Sequence, residues 1–199
     1  MENQSQRLIG LTGGIATGKT TVSNYLSNKY NLPILDADLY AREATAAGST
    51  ILENIFRRYG DEVKLSDGNL DRLALGEIVF NDPQEKQWLE TQIHPFVRDR
   101  FSQELSKIST SAVVLSIPLL FEANLTGLVT EIWVVGCDRS LQIRRLQQRN
   151  NLTVSQAESR IDSQMPLKQK IALADLVLNN DGSLEQLFTQ IDTAIESPR

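Results

Sequence analysis

Gly13-Gly-Ile-Ala-Thr-Gly18-Lys19-Thr20 is the stretch whose reading decides the fold. It satisfies G-x-x-x-x-G-K-[ST] in the required context, with the apolar run Arg7–Leu11 before it and helical spacing at Val22, Tyr25 and Leu26 after it. A strand, a glycine-rich turn and a helix in that order offer successive backbone N–H groups and a positive helix end to an anion. The expected phosphate cradle is therefore Gly13, Gly14, Ile15, Ala16, Thr17, Gly18, Lys19 and Thr20, with Thr21 adjoining. Lys19 is expected to reach the β- and γ-phosphates of a nucleotide, and the Thr20 hydroxyl to ligate magnesium.

Outward from the loop, four further apolar runs stand out: Pro33–Leu35, Ala112–Ile117, Glu131–Val135 and Leu176–Leu178. They are short, rich in Val, Ile and Leu and mostly non-alternating, the pattern of strands buried on both faces. Segments with helical spacing separate them, among them Leu184/Leu187/Phe188/Ile191. The expectation is an α/β fold of three layers around a five-stranded parallel sheet.

Two stretches are too long to be simple crossovers. Between Leu35 and Ala112, Ser49, Asp71 and Asp82 stand as N-caps, Pro83 stands at a first helical position, and Asp67-Gly68 marks a turn. This predicts a mostly helical insertion over 38–110. Residues 138–166 read as a helix pair, with Arg144, Arg145 and Arg149 on the first helix, Arg160 on the second, and Thr153/Gln156 as a capping box. The core is then assembled from 1–37, 111–137 and 167–199.

With 199 residues, a net charge of −5 and a pI near 5, the chain lacks the broad basic surface of a general nucleic-acid binder. Cys137, the single cysteine, excludes an internal disulfide framework, suits a reducing compartment and reads as a buried structural thiol. The first residues lack the apolar core of a signal peptide, and the longest apolar stretch is broken by Ser116 and Pro118. A cytoplasmic protein without membrane association is expected, and a monomer is favoured.

Asp36 and Asp38 follow the second apolar run at period-two spacing, at the carboxyl edge of the expected sheet where ligands of open α/β folds bind. A carboxylate there suits an acceptor hydroxyl that loses its proton during phosphoryl transfer, and its neighbour suits hydrated magnesium. An equally weighted reading makes Asp38 the N-cap of a helix beginning at Leu39, with Arg42 as its i+4 partner. No D-x-x-G follows Ala112–Ile117 and no N-K-x-D follows a later run, which argues against a GTPase.

Several motifs in one order carry a resemblance. Leu11-Thr-Gly-Gly-Ile-Ala-Thr-Gly-Lys-Thr-Thr21, Asp36-Ala-Asp-Leu-Tyr-Ala-Arg42, His94-Pro95, Ile117-Pro-Leu-Leu-Phe-Glu122 and Ala174-Asp-Leu-Val-Leu-Asn179 resemble the motif series of the dephospho-CoA kinase family. The resemblance implies a P-loop kinase fold and transfer of the ATP γ-phosphoryl group, with Mg2+, to the ribose 3′-hydroxyl of dephospho-CoA. It implies Asp38 as catalytic base with Lys19, Asp36 as a supporting carboxylate that holds magnesium through water, and Arg42 as a grip on the substrate phosphates. His94, Pro118 and Leu119 fall on the substrate side, His94 as a hydrogen-bonded hinge where one helical run ends. Residues 38–110 become the CoA-binding insertion, and 138–166 a lid whose Arg145 and Arg149 serve ATP.

The chain departs from the family pattern at Ala16, where glycine is usual, and at Thr17, where serine is usual. Positive φ at residue 16 would cost about 1 kcal/mol with alanine there. The competing readings are another small-molecule P-loop kinase, shikimate-like or nucleoside-directed, and a nucleotide-binding module without turnover.

Overall fold

In a computed structural model describing residues 6–197, the chain forms two compact units. One comprises the described residues up to Asp36 and from Thr110 onward; the other is Ala37–Ser109.

The first unit is a five-stranded parallel sheet of β1 (Arg7–Gly13), β2 (Ile34–Asp36), β3 (Ala112–Ser116), β4 (Glu131–Gly136) and β5 (Leu176–Asn179), in the order β2-β3-β1-β4-β5. Its helices are α1 (Lys19–Tyr30), α6 (Arg139–Asn150), α7 (Val154–Asp162), α8 (Leu167–Ala172) and α9 (Leu184–Glu196). Val22 and Leu26 of α1 and Leu187 and Ile191 of α9 pack with Ile9, Leu11, Val114, Trp133, Val135 and Leu178 into one buried cluster. Strand side chains alternate, so Gly136 lies on the face opposite Trp133 and Val135, and there a Cβ on Gly136 would meet Ile171 of α8 at 3.3 Å. Helices thus cover both faces, giving the three layers that the apolar runs predict.

Burial on both faces holds for the central strands and fails at the edge. β3 is buried throughout, whereas in β5 Val177 is exposed and only Leu178 is buried, because β5 has a neighbour on one side alone. Arg7 ties the start of β1 to the sheet's other end of sequence: its guanidinium pairs with Glu131 and donates to the Ala194 carbonyl of α9 at 3.1 Å. Glu131 also accepts from the indole N–H of Trp133 at 2.7 Å.

The second unit is helical: α2 (Ala37–Ala44), α3 (Thr50–Tyr59), α4 (Arg72–Asn81) and α5 (Pro83–Leu105). Ser49, Asp71 and Asp82 cap α3, α4 and α5 through their side chains, and Pro83 occupies the first position of α5. Leu52, Ile55, Val63, Leu70 and Leu75 form its core, with Trp88 packed against them. Arg58 grips Glu85 with two bonds of 2.6 and 2.7 Å and lies 4.5 Å from the Trp88 ring centroid.

Two expectations are corrected here. His94 does not end a helical run: α5 continues through Pro95, because the ring costs one backbone bond while Val97 and Phe101 beyond it are buried. Asp38 is not an N-cap, since α2 begins at Ala37 and Asp38 lies inside its first turn.

Candidate active site

The phosphate loop leaves the carboxyl end of β1, the middle strand, and enters α1 at Gly18. Gly18 has φ +106, and a Cβ there would lie 2.1 Å from the Asn180 side-chain nitrogen, so conformation and space both demand glycine. At Gly13 the demand is spatial: a Cβ would meet the Val135 carbonyl oxygen at 2.5 Å. Ala16 adopts φ +61, the left-handed conformation that the usual glycine would hold without penalty.

Side chains hold the loop's carbonyls from Gly14 to Thr17. Arg145 donates to the carbonyls of Ala16 (3.3 Å), Thr17 (3.2 Å) and Asn180 (3.1 Å). The buried Asn180 amide donates to Thr17 O at 2.7 Å, and the buried Gln142 amide to Ile15 O at 2.7 Å. Gln164 accepts the Ile15 N–H at 3.0 Å, and the Thr17 hydroxyl donates to Gly14 O at 2.9 Å. With these carbonyls engaged, the N–H groups of the loop other than those of Ile15 and Thr17, together with the α1 terminus, form its positive face.

Lys19 Nζ donates to the Ser116 hydroxyl at 2.8 Å. Ser116 ends β3 and stands in parallel register with Asp36, which ends β2, so the loop lysine, a hydroxyl and a carboxylate gather at one edge of the sheet. Thr20 is exposed in the first turn of α1, and Thr21 follows half-buried.

The remaining expected site residues belong to both units. Asp38 and Arg42 are exposed on α2, and the Arg42 carbonyl accepts from Arg72 at 3.4 Å. His94 is half-buried within α5, where burial lowers its pKa and favours the neutral ring. Pro118 and Leu119 follow β3; Pro118 O accepts from Thr12 Oγ1 at 3.1 Å, and Leu119 is partly exposed. Arg149 is exposed and donates to Asn150 at 2.9 Å. Cys137 is buried, burial raises its pKa, and its sulfur lies 3.6 Å from Arg145.

Gln142, Asn180, Gln164 and Ser116 are site residues without a motif of their own. Only the proximity of Asn180 to Asn179 and of Gln142 to Arg145 in sequence hinted at them, because Gln142, Asn180 and Gln164 recognise a backbone carbonyl or N–H and Ser116 the distant head of Lys19.

A phosphate loop on the central strand, with its lysine and a strand-end carboxylate at the same edge, places the chain among the P-loop kinases. A family model described as dephospho-CoA kinase matches residues 7–186. A dephospho-CoA kinase of Trichormus variabilis is 56% identical over 191 residues, covering 96% of this chain and 97% of its own. One from Synechocystis sp. is 60% identical over 187 residues, covering 94% and 93%. A solved structure of dephospho-CoA kinase from Campylobacter jejuni is 28% identical over 95% of both chains, with a TM-score of 0.67. The chain belongs to the dephospho-CoA kinase family, and it is accordingly an ATP-dependent kinase.

Proposed function

We propose that the chain transfers the γ-phosphoryl group of ATP to the ribose 3′-hydroxyl of dephospho-CoA, the last step of coenzyme A synthesis, in the cytoplasm. The observation that carries this reading is the Lys19–Ser116 bond beside Asp36, at the strand end from which the chain runs directly into Asp38. The loop's N–H groups and Lys19 hold the β- and γ-phosphates and stabilise the charge that spreads over the moving group. Asp38 accepts the proton of the acceptor hydroxyl as its oxygen attacks in line.

Magnesium fits the donors present, since the Thr20 hydroxyl and the Asp36 carboxylate are hard oxygen ligands, the latter through water. Held there it would neutralise phosphate charge. Arg42 binds the acceptor's phosphates, with His94, Pro118 and Leu119 on the same side. Residues 38–110 form the acceptor-binding insertion and 138–166 the lid that keeps water from ATP. Arg145 acts by fixing the loop's carbonyls, and Arg149 is the lid arginine assigned to ATP.

No helix among the described residues is long and apolar enough to cross a membrane. The deciding assay measures ADP release from Mg-ATP with dephospho-CoA, shikimate, adenosine or no acceptor, with the product mass checked. Rapid turnover with dephospho-CoA alone is expected. Turnover with another acceptor would leave the phosphate loop standing and overturn the acceptor.

A further inference from the structure

Lys170 of α8 is completely buried, a setting in which lysine is rare unless paired. Its ammonium donates to Glu122 Oε1 at 2.8 Å and to the Pro118 carbonyl at 3.1 Å. Pro118 O is the same atom that accepts from Thr12, one residue before the phosphate loop. Glu122 Oε1 also accepts the Met165 N–H at 3.0 Å, and the adjacent Gln164 takes the Ile15 N–H of the loop. One ammonium therefore joins three segments: the phosphate-loop strand, the turn after β3 and the carboxyl root of the α6–α7 helix pair.

Stability does not account for this arrangement. Glu122 Oε2 is buried and has no hydrogen-bond partner among the described residues, and taking a carboxylate and an ammonium out of water costs much of what their attraction returns. An apolar pair of similar volume would fill the space without that penalty. What the apolar pair would lack is direction: fixed bonds to Pro118 O and the Met165 N–H.

We propose that Lys170 and Glu122 are positioning residues for phosphoryl transfer, setting the lid root at Met165 and the acceptor-side turn at Pro118 in one register with the phosphate loop. The inference rests on reading 138–166 as a lid and Pro118–Leu119 as acceptor-side. Neither residue touches ATP or the acceptor in this assignment.

The test uses the full chain with Lys170→Met combined with Glu122→Leu, and Glu122→Gln separately. Thermal midpoint, amide exchange, and ADP release with and without dephospho-CoA are measured for each. The double variant is expected to melt close to wild type while exchanging faster at 118–122 and 163–166. Its kcat should fall roughly 10- to 100-fold with KM for ATP nearly unchanged, as misplacement of reacting groups by about 1 Å produces. The acceptor-independent share of ADP release should rise. Wild-type kcat, coupling and local exchange in the double variant would overturn the proposal.

Should the double variant not fold, Glu122→Gln decides on the same readouts: reduced kcat with faster exchange at 163–166 supports it, and wild-type values for both overturn it. If the wild-type chain does not phosphorylate dephospho-CoA, the acceptor assignment fails, while local exchange and acceptor-independent ADP release still decide the role of the pair.

Discussion

Lys19 and Ser116 meet at 2.8 Å across two strand ends: the ammonium from the phosphate loop on β1, the hydroxyl from the last residue of β3. The bond aims a flexible four-carbon side chain along the sheet edge, where a transferred phosphoryl group would lie. Ser116→Ala should reduce kcat/KM for ATP about 10- to 100-fold, the worth of one hydrogen bond to a charged group, with little change in melting temperature. Steady-state kinetics at varied ATP checks this, and unchanged constants would remove Ser116 from the site.

Ala16 holds φ +61 in a loop whose conformation is fixed by Gln142, Gln164 and Arg145 on its flanks. Ala16→Gly should therefore stabilise the chain by about 0.5 kcal/mol, the left-handed penalty less the entropy glycine adds to the unfolded state. Chemical denaturation reads it as a raised midpoint at constant slope. A lowered midpoint would show that the loop relaxes around alanine without strain.

Asp38→Asn should lower turnover with dephospho-CoA by roughly 100-fold or more while leaving ATP affinity within about twofold, because only the proton acceptor is lost. Pre-steady-state product formation and nucleotide titration separate the two. Comparable turnover would remove Asp38 from the chemistry.

Arg145 and Arg149 should separate in their effects. Arg145→Lys cannot span the carbonyls of Ala16, Thr17 and Asn180 with a single ammonium, so both ATP affinity and stability should fall. Arg149→Ala should leave stability unchanged, its side chain being exposed, and raise KM for ATP several-fold, about 1 kcal/mol for a charge-assisted contact. Melting curves and ATP kinetics on both variants decide it.

The helical unit should be acid-sensitive through Glu85. Two bonds from Arg58 and one from the Tyr59 hydroxyl hold its pKa down at about 2. A carboxyl depressed on folding contributes stability above its unfolded pKa, and that contribution is lost as pH falls from about 4.5 toward 2. Glu85→Gln should thus melt lower than wild type at pH 7, with the gap closing in acid. A gap independent of pH would show that Glu85 is not coupled to folding.

Much of this architecture can be read from the chain because it depends on local patterns. Every apolar run proposed as a strand lies on one, with ends within two residues, since runs such as Ala112–Ile117 have no helical periodicity to compete. The caps at Ser49, Asp71, Asp82 and Thr153 are equally local, each side chain bonding an N–H two or three residues on. His94-Pro95 misleads for the opposite reason: proline forecasts a break, and burial of distant partners around Val97 and Phe101 keeps α5 whole. The phosphate loop was visible as a motif, but its supports were not. Gln142, Asn180 and Ser116 recognise backbone or a lysine head across the fold, and nothing about an isolated glutamine or serine announces such a partner.

The division between units falls between Asp36, which closes β2, and Asp38, in the first turn of α2, with no linker between them. The two carboxylates therefore belong to different units of one chain: Asp36 to the unit that carries the phosphate loop, and Asp38 to Ala37–Ser109. With Asp38 as the proposed proton acceptor, an insertion exchanged at that seam would replace the proton acceptor along with the helical unit, and leave the phosphate loop on β1 unaltered.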